Sequence, residues 1–489
     1  MECLVIVDRI YELAQRQPHK KAIIRNNFSL SYLQFSNAVQ STRSFLQRES
    51  LPPGRTAIVL VRNLLDAWII VMALRAVGLH TISVDSMVEA ESLKINDVAC
   101  IVVTQPEAAA RNLVTNTMIG VKVLAIPPSA DVINANELVA RCDSGPVGGN
   151  ILYTSGTTGR HKKMLVSDER EDARNGARAH FFSLNCKTVY HAVDFPVWMG
   201  IGFKMPSMTW HSGGCVVFDQ RPKVFEHFFS HNVTFAIITP GGLKDLLRAR
   251  GALGPPADTF ALAIGGGFLP IDLAEQTIQK LTGNLSTHFA ASELNSIPLR
   301  SHFKTKDDLL WFTPTDQKLV QIVDDEGKEC ATDQEGELRI LLSELDCHNY
   351  LDDEETSARV FHDGAFHPGD RAVRRGDGRI RILGRTADVL IVQGTKFAAA
   401  PMEQTIQQRL QVDEVCLFSG LNKQGYEEVV IAIQSDRSIP RSQLEELASK
   451  FRRVKKVRFS IHTAFPRAQS GMKKTNRREL RKLVFEQLD

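Results

Sequence analysis

Apolar positions along the chain switch between a helical period and short unbroken runs. Val7–Gln15 places its apolar residues at helical spacing, Ala22–Arg25 is a short apolar run, and Tyr32–Arg48 is amphipathic over four turns. A strand over Thr56–Val61, a helix over Leu64–Val77 and a strand over His80–Val84 follow, with further strands at Cys100–Thr104 and Val121–Ile126. The same unit returns at Phe235–Thr239 with Leu243–Ala249, and at Phe260–Ile264 with Ile271–Leu281. Alternation of this kind predicts a parallel sheet flanked by helices. From Leu319 to Ile382 the pattern changes to short strands separated by Asp-Glu-Gly, Asp-Gly and Gly-Asp-Gly, which are hairpin signals. A final α+β segment begins near Gly384. The expected architecture is α/β: a large N-terminal domain of layered sheets and helices with a strand-rich subdomain (residues 1–383), then a small C-terminal domain (384–489).

Bulk properties narrow this picture. A chain of 489 residues exceeds one compact core, and 43% apolar with 24% charged residues is ordinary globular composition. The longest apolar run, Ala67–Leu79, contains Arg75 and is too short to span a bilayer, so a buried helix is expected and no membrane span. The opening Met-Glu-Cys-Leu lacks a basic-then-apolar pattern, so no signal peptide is expected. Eight scattered cysteines without a CxxC pair point away from zinc and disulfides and toward a reducing, cytoplasmic setting. The net charge of +3 implies no nucleic-acid partner. It is unevenly spread: residues from Arg385 onward carry +7 and the remainder −4. A basic C-terminal piece can steer phosphates toward the protein, although on charge alone a solvated basic surface is the favoured reading.

Chemistry concentrates first at Asn150–Lys163. An apolar strand enters a loop with Thr154, Ser155, Gly156, Thr157, Thr158 and Gly159, followed by Lys162 and Lys163. Glycines let backbone N–H groups approach phosphate oxygens, hydroxyls donate further hydrogen bonds, and lysine neutralises charge, which together suit a triphosphate. The spacing is not that of a Walker A loop, because His161 stands where the second glycine is needed.

Tyr153–Gly159 with Lys162 resembles the signature loop Tyr-Thr-Ser-Gly-Thr-Thr-Gly-x-Pro-Lys-Gly of adenylate-forming enzymes: acyl- and aryl-CoA synthetases, peptide-synthetase adenylation domains and luciferases. His161 replaces the proline and Lys163 the last glycine, which predicts a differently angled exit from the loop. Further stations follow in family order. Gly265-Gly266-Gly267-Phe268-Leu269-Pro270 resembles the turn bordering adenine and the acyl pocket. Phe289-Ala290-Ala291-Ser292-Glu293 aligns with Tyr-Gly-x-Thr-Glu, which implies Phe289 on adenine, Ser292 on phosphate and Glu293 as the Mg²⁺ carboxylate. Gly336-Glu337-Leu338 and Tyr350 with Thr356 fit the strand-rich section. Asp370 in Pro-Gly-Asp matches the aspartate that accepts both ribose hydroxyls, and Arg385 in Gly-Arg-Thr-Ala-Asp the arginine at ribose or phosphate.

The resemblance also implies that residues 384–489 form a mobile lid with its hinge at about 385–388, where Ala387 replaces the usual polar pivot. Gly394 and Lys396 fall on the loop that lines the channel for a thiol-bearing pantetheine arm. Near the C-terminus, the catalytic lysine is Lys474 counted back from Arg477 and Leu480, with Lys473 the alternative. Its ammonium would sit where charge grows between carboxylate and α-phosphate.

The implied reaction activates a carboxylic acid with Mg²⁺ and ATP, releases pyrophosphate and passes the acyl group to a thiol. Trp198 and Met199, with Gly265, are expected to line the acid pocket; Met199 stands where acyl and aryl members carry histidine. No aspartate lies near Gly200, where amino-acid domains hold the substrate amine, so an aryl or medium acyl acid is favoured over an amino acid. No attachment site for a phosphopantetheine arm is seen before Asp489, so coenzyme A or a separate carrier protein is the expected acceptor. An amino-acid adenylation enzyme loading a free-standing carrier, and a non-catalytic nucleotide- or acyl-binding relative, stay open.

Overall fold

The computed structural model describes residues 5–104, 121–127, 137–141, 147–155, 161–193, 195, 197, 199–219, 221, 224–249, 259–265, 269–385, 389–392, 395–421, 427–449, 457–467 and 475–486. The chain divides into two compact units. The first comprises Met1–Gly267, Glu275–Ile297 and Leu342–Arg359; the second comprises Phe268–Ala274, Pro298–Leu341 and Val360–Asp489.

Two sheets build the first unit, in keeping with the expected layered sheets and helices. The first runs in the order Lys122–Ile126, Val98–Thr104, Thr56–Val59, His80–Ser83, Gly149–Ser155 and His161–Ser167. Its pairs are parallel except the last, which is an antiparallel hairpin. In the second, Asn284–Phe289, Ala261–Ile264, Phe235–Ile238, Val189–His191, Cys215–Phe218 and Lys21–Arg25 lie parallel, and Phe28–Ser31 closes one edge as a hairpin. Predicted helices recur within one to three residues at their ends, at Ile6–Arg16, Tyr32–Arg48, Leu64–Ala76, Pro240–Ala249 and Ile271–Lys280. Ser31 and Gln34 form a capping box at the start of Tyr32–Arg48, satisfying amides that have no partner within the helix.

The helix Leu64–Ala76 is apolar around its circumference and buried, as its composition requires. Trp68 packs edge-on against Trp210 and Phe218, with ring centroids 5.3 and 5.2 Å apart. Both indoles satisfy their N–H groups, Trp68 on the Gly202 carbonyl and Trp210 on that of Ala22, each at 3.0 Å. Arg75 stays in this core because Thr81 accepts from it at 2.8 Å, Asp168 lies 3.5 Å away and its guanidinium stacks over Phe203. Among the described residues no helix is long and apolar enough to cross a membrane.

The second unit holds the strand-rich section. Phe361–His362, Ala365–Phe366, Glu335–Leu341, Asp370–Arg374 and Ile380–Arg385 form an antiparallel sheet, with Val320–Val323 also paired to Glu335–Leu341. Gly327 and Gly378 take positive φ angles of 78° and 84°, so two of the expected hairpin turns depend on residues without a Cβ. The same unit contains the three-stranded sheet Glu414–Leu421, Glu427–Gln434, Val457–His462 and the helices Ala399–Leu410, Arg441–Ser449 and Arg477–Glu486. Ile406, Leu410, Val415, Ile431 and Ile433 fill one side of this sheet, and Phe465, Leu480 and Val484 the other.

Candidate active site

The parallel strands of the second sheet end at a common edge. Residues 192–199 leave the strand Val189–His191 there, Gly265 follows Ala261–Ile264, and Ala290–Glu293 follow Asn284–Phe289. Register keeps these exits together: Ala236 lies beside His191, Ile238 beside Ile264, and Ile264 beside Thr287. Ligands of open parallel sheets bind beyond the carboxyl ends of the strands, where connecting loops converge. The expected acid-pocket residue Met199 and the adenine and metal stations Gly265, Phe289, Ala290, Ser292 and Glu293 therefore share one edge. Phe289 and Ser292 are half-buried, Ala290 is exposed, and Met199 and Glu293 are buried.

The phosphate-loop sequence begins on the first strand and ends on the second strand of the antiparallel pair Gly149–Ser155/His161–Ser167. Thr154 lies opposite Lys162 and Ser155 opposite His161, so the second strand leaves the loop in unbroken register. Lys163 does not redirect it. Its ammonium is buried, donates to Asp352 Oδ2 and the Lys94 carbonyl, each at 3.0 Å, and its own carbonyl accepts from Leu351 N at 2.7 Å. A residue expected to disturb the loop instead ties the hairpin to the 342–359 segment.

Lys162 points the other way. Its ammonium lies 5.0 Å from the centroid of the Tyr350 ring, within cation–π range. Tyr350 in turn donates its hydroxyl to Glu293 Oε1 at 2.7 Å. One buried tyrosine thus joins the phosphate-loop lysine to the expected metal carboxylate. The sequence reading put Tyr350 in the strand-rich section; it belongs to the first unit instead.

Glu293 sits on a rigid platform. Cys347 N donates to the Glu293 carbonyl at 2.8 Å, and Arg174 Nη2 reaches that same oxygen at 3.5 Å. Arg178 donates to the carbonyls of Leu294 and Asn295, while Asp346 accepts from Asn295 N at 2.6 Å and from Ser343. Both arginines project from the helix Asp168–Phe181, started by Ser167 accepting from Arg170 N. Burial lowers the affinity of both guanidinium groups for their protons. Peptide carbonyls occupy Nε and Nη2 of each, while Arg174 Nη1 is buried without a hydrogen-bond partner. Nothing in the linear pattern marked Arg174, Arg178 or Asp346. Lys204, a lone charge within the run Gly200–Trp210 and just after Met199, carried a legible signal that went unread.

In the second unit, the expected nucleoside residues meet across one strand pair: Asp370, buried, lies in register with Arg385. The strand Thr395–Ala398 carries Lys396. Gly156, Thr157, Thr158, Gly159, Trp198, Gly266, Gly267, Gly394, Lys473 and Lys474 lie outside the described residues, as do the hinge positions Ala387 and Asp388. Among the described residues no group of three or more His, Cys, Asp or Glu could hold a metal by itself.

Comparison with known proteins agrees with this geometry. The sequence matches the AMP-binding enzyme family over residues 10–341. A 2-succinylbenzoate–CoA ligase of Bacillus cereus (strain ZK / E33L) is 24% identical over 494 residues, covering 96% of each chain. The fold is similar to that of an O-succinylbenzoate coenzyme A synthetase from Bacillus subtilis in complex with AMP, with a TM-score of 0.78 at 18% identity over 96% of this chain and 97% of that one. It is also similar to an anthranilate CoA ligase in complex with anthranoyl-AMP, with a TM-score of 0.82 at 16% identity over 100% and 99% of the two chains. With its signature loop on a hairpin, Tyr350 and Glu293 behind that loop, and two thirds of its length matched, the chain belongs to the AMP-binding enzyme family of the adenylate-forming superfamily.

Proposed function

We propose that this enzyme activates an aryl or medium acyl acid with ATP, releases pyrophosphate and transfers the acyl group from the adenylate to coenzyme A. The observation that carries the reading is the chain of contacts Lys162–Tyr350–Glu293, which holds a cation and a carboxylate beside the phosphate loop. Phosphoryl and nucleotidyl transfer need little covalent work from protein groups, so positioning and charge stabilisation dominate. Thr154–Thr158 and Lys162 restrain the triphosphate, Phe289 and Gly265–Gly267 border adenine, and Asp370 with Arg385 hold the ribose. Glu293 would hold Mg²⁺, which neutralises triphosphate charge; its Oε2 makes no hydrogen bond among the described residues, leaving that oxygen for a cation.

The acid carboxylate attacks the α-phosphorus, the bond to the β,γ-diphosphate breaks, and Lys474 orients the two reacting groups. Rotation of the lid, residues 384–489, then withdraws Lys474 and brings Gly394 and Lys396 to the thiol. Lys473 takes the role of Lys474 if the register shifts by one. The Bacillus cereus relative, a coenzyme A ligase for an aromatic acid, supports coenzyme A as acceptor and an aryl acid as substrate, and a cytoplasmic setting follows from that acceptor.

The test is ATP–pyrophosphate exchange across aromatic, medium-chain, amino and dicarboxylic acids, 2-succinylbenzoate among them, followed by thioester formation with and without coenzyme A. Exchange with an aryl or acyl acid and a coenzyme A thioester is the expected outcome. Exchange with amino acids alone moves the assignment to amino-acid loading. ATP binding without exchange for any acid identifies a non-catalytic nucleotide binder.

A further inference from the structure

The helix Gly200–His211 begins directly after the expected acid-pocket residue Met199, and Lys204 opens its second turn. Lys204 is only 6% exposed. It makes no hydrogen bond and no ion pair among the described residues. Its side chain leans back along the helix, as helical side chains do, so that Cε lies 3.9 Å from where a Cβ on Gly200 would stand. Gly200 also faces Leu152, whose Cδ2 lies 3.1 Å from that same position, and Leu152 belongs to the strand leading into the phosphate loop.

Electrostatics sharpen the anomaly. Met199 supplies no side-chain cap, so the positive end of the helix dipole lies uncompensated where the Lys204 side chain arrives. Arg174 and Arg178 add positive charge nearby; their Nε and Nη2 donors are directed to the carbonyls of Glu293, Leu294, Asn295 and Leu345, and Arg174 Nη1 is buried without a hydrogen-bond partner. Glu171 and Glu293 favour the ammonium, but neither forms an ion pair with it. Glu171 Oε2 is itself buried without a hydrogen bond. Burial is the largest influence on Lys204 and drives its proton affinity well below the usual lysine range. A buried cation is strongly unfavourable unless it is paired or gives up its proton, and a carboxylate brought by a ligand would supply the missing partner.

We propose that Lys204 and the amides of the Gly200 turn receive a second carboxylate of the acid substrate, so that this enzyme's acid is a dicarboxylic acid. The inference rests on the adenylation reading and deepens it. Lysine and a helix N-terminus together make an anion site, and its place beside Met199 puts that site in the acid pocket, apart from the carboxylate that reacts.

The experiment compares diacids with their monomethyl esters in pyrophosphate exchange, using wild type and Lys204→Met, which keeps the volume and removes the charge. Wild type should favour each accepted diacid over its monoester by at least tenfold in kcat/KM, and Lys204→Met should lose most of that ratio. Removing an uncompensated charge should also leave the Tm of Lys204→Met equal to or above that of wild type. Wild type needs no variant to refute the idea: equal use of diacid and monoester overturns it while the adenylation reading stands. Retention of the diacid preference in Lys204→Met, with a lowered Tm, identifies Lys204 as a structural counter-charge to Glu171 and Glu293 and also overturns it. No exchange with any acid defeats adenylation and this inference with it.

Discussion

Tyr350 donates its phenolic hydrogen to Glu293 Oε1 across 2.7 Å, both side chains are buried, and 57 residues separate them in the chain. An outer partner of this kind orients a metal-binding carboxylate and fixes which oxygen remains for the ion. Tyr350→Phe should raise the Mg²⁺ concentration needed for half-maximal pyrophosphate exchange by about 10-fold or more, the usual penalty for losing such a partner. Stability should drop by only about 1–3 kcal/mol, the desolvation cost of an unmet acceptor. An unchanged Mg²⁺ titration would separate Glu293 from the metal.

Lys163 is a different case, a cation beside the phosphate loop with a structural task. Its bonds to Asp352 and the Lys94 carbonyl tether the hairpin to the 342–359 segment. Asp352 is half exposed, so water takes over much of its solvation once the lysine is removed. Lys163→Met should cost about 1–2 kcal/mol in chemical denaturation, mostly from the two hydrogen bonds. The double variant with Asp352→Asn should lose less than the two single losses combined, since both remove the same contact. Strict additivity would rule out the tether.

His191 makes stability depend on pH. It is fully buried, stacks on Phe228 with centroids 4.4 Å apart, and neither ring nitrogen has a hydrogen-bond partner. Burial pushes its pKa down to about 3, from 6.5 in an open chain. Between those values the unfolded chain binds a proton that the folded protein refuses. The contribution is complete above pH 6.5 and erodes as pH falls toward 3, at up to about 1.4 kcal/mol per unit. His191→Phe should flatten this part of the urea-denaturation profile between pH 7.5 and 5. Parallel profiles for variant and wild type would show that another group sets the slope.

Lys474→Ala should nearly abolish pyrophosphate exchange while leaving thiolysis of a supplied adenylate mostly intact, since the proposed role of the lysine is confined to the first half-reaction. Equal damage to both halves argues against a dedicated adenylation role, and a larger effect from Lys473→Ala moves the register by one residue. Rapid-quench assays of each half-reaction distinguish these outcomes.

Much was legible from the sequence, and the reason is locality. Helix Tyr32–Arg48 and strand His80–Ser83 are specified by periodicity and capping among near neighbours, and they stand where the pattern put them. The signature motif is contiguous, so Tyr153–Gly159 could be matched to the family without any fold. Gly265, Phe289 and Glu293 were singled out by motif, and parallel strand register places the ends of their strands at one sheet edge.

Tertiary structure decided what depends on residues distant in the chain. The strands divide between two sheets in an order the sequence pattern did not specify, because backbone pairing is chosen by packing, which no window of sequence contains. Lys162 and Lys163 are adjacent and chemically alike, yet strand alternation sends one to Tyr350 and the other to Asp352. Burial likewise turned Lys204 from an ordinary lysine into an unmatched charge, since desolvation is a property of the assembled interior and of no residue alone.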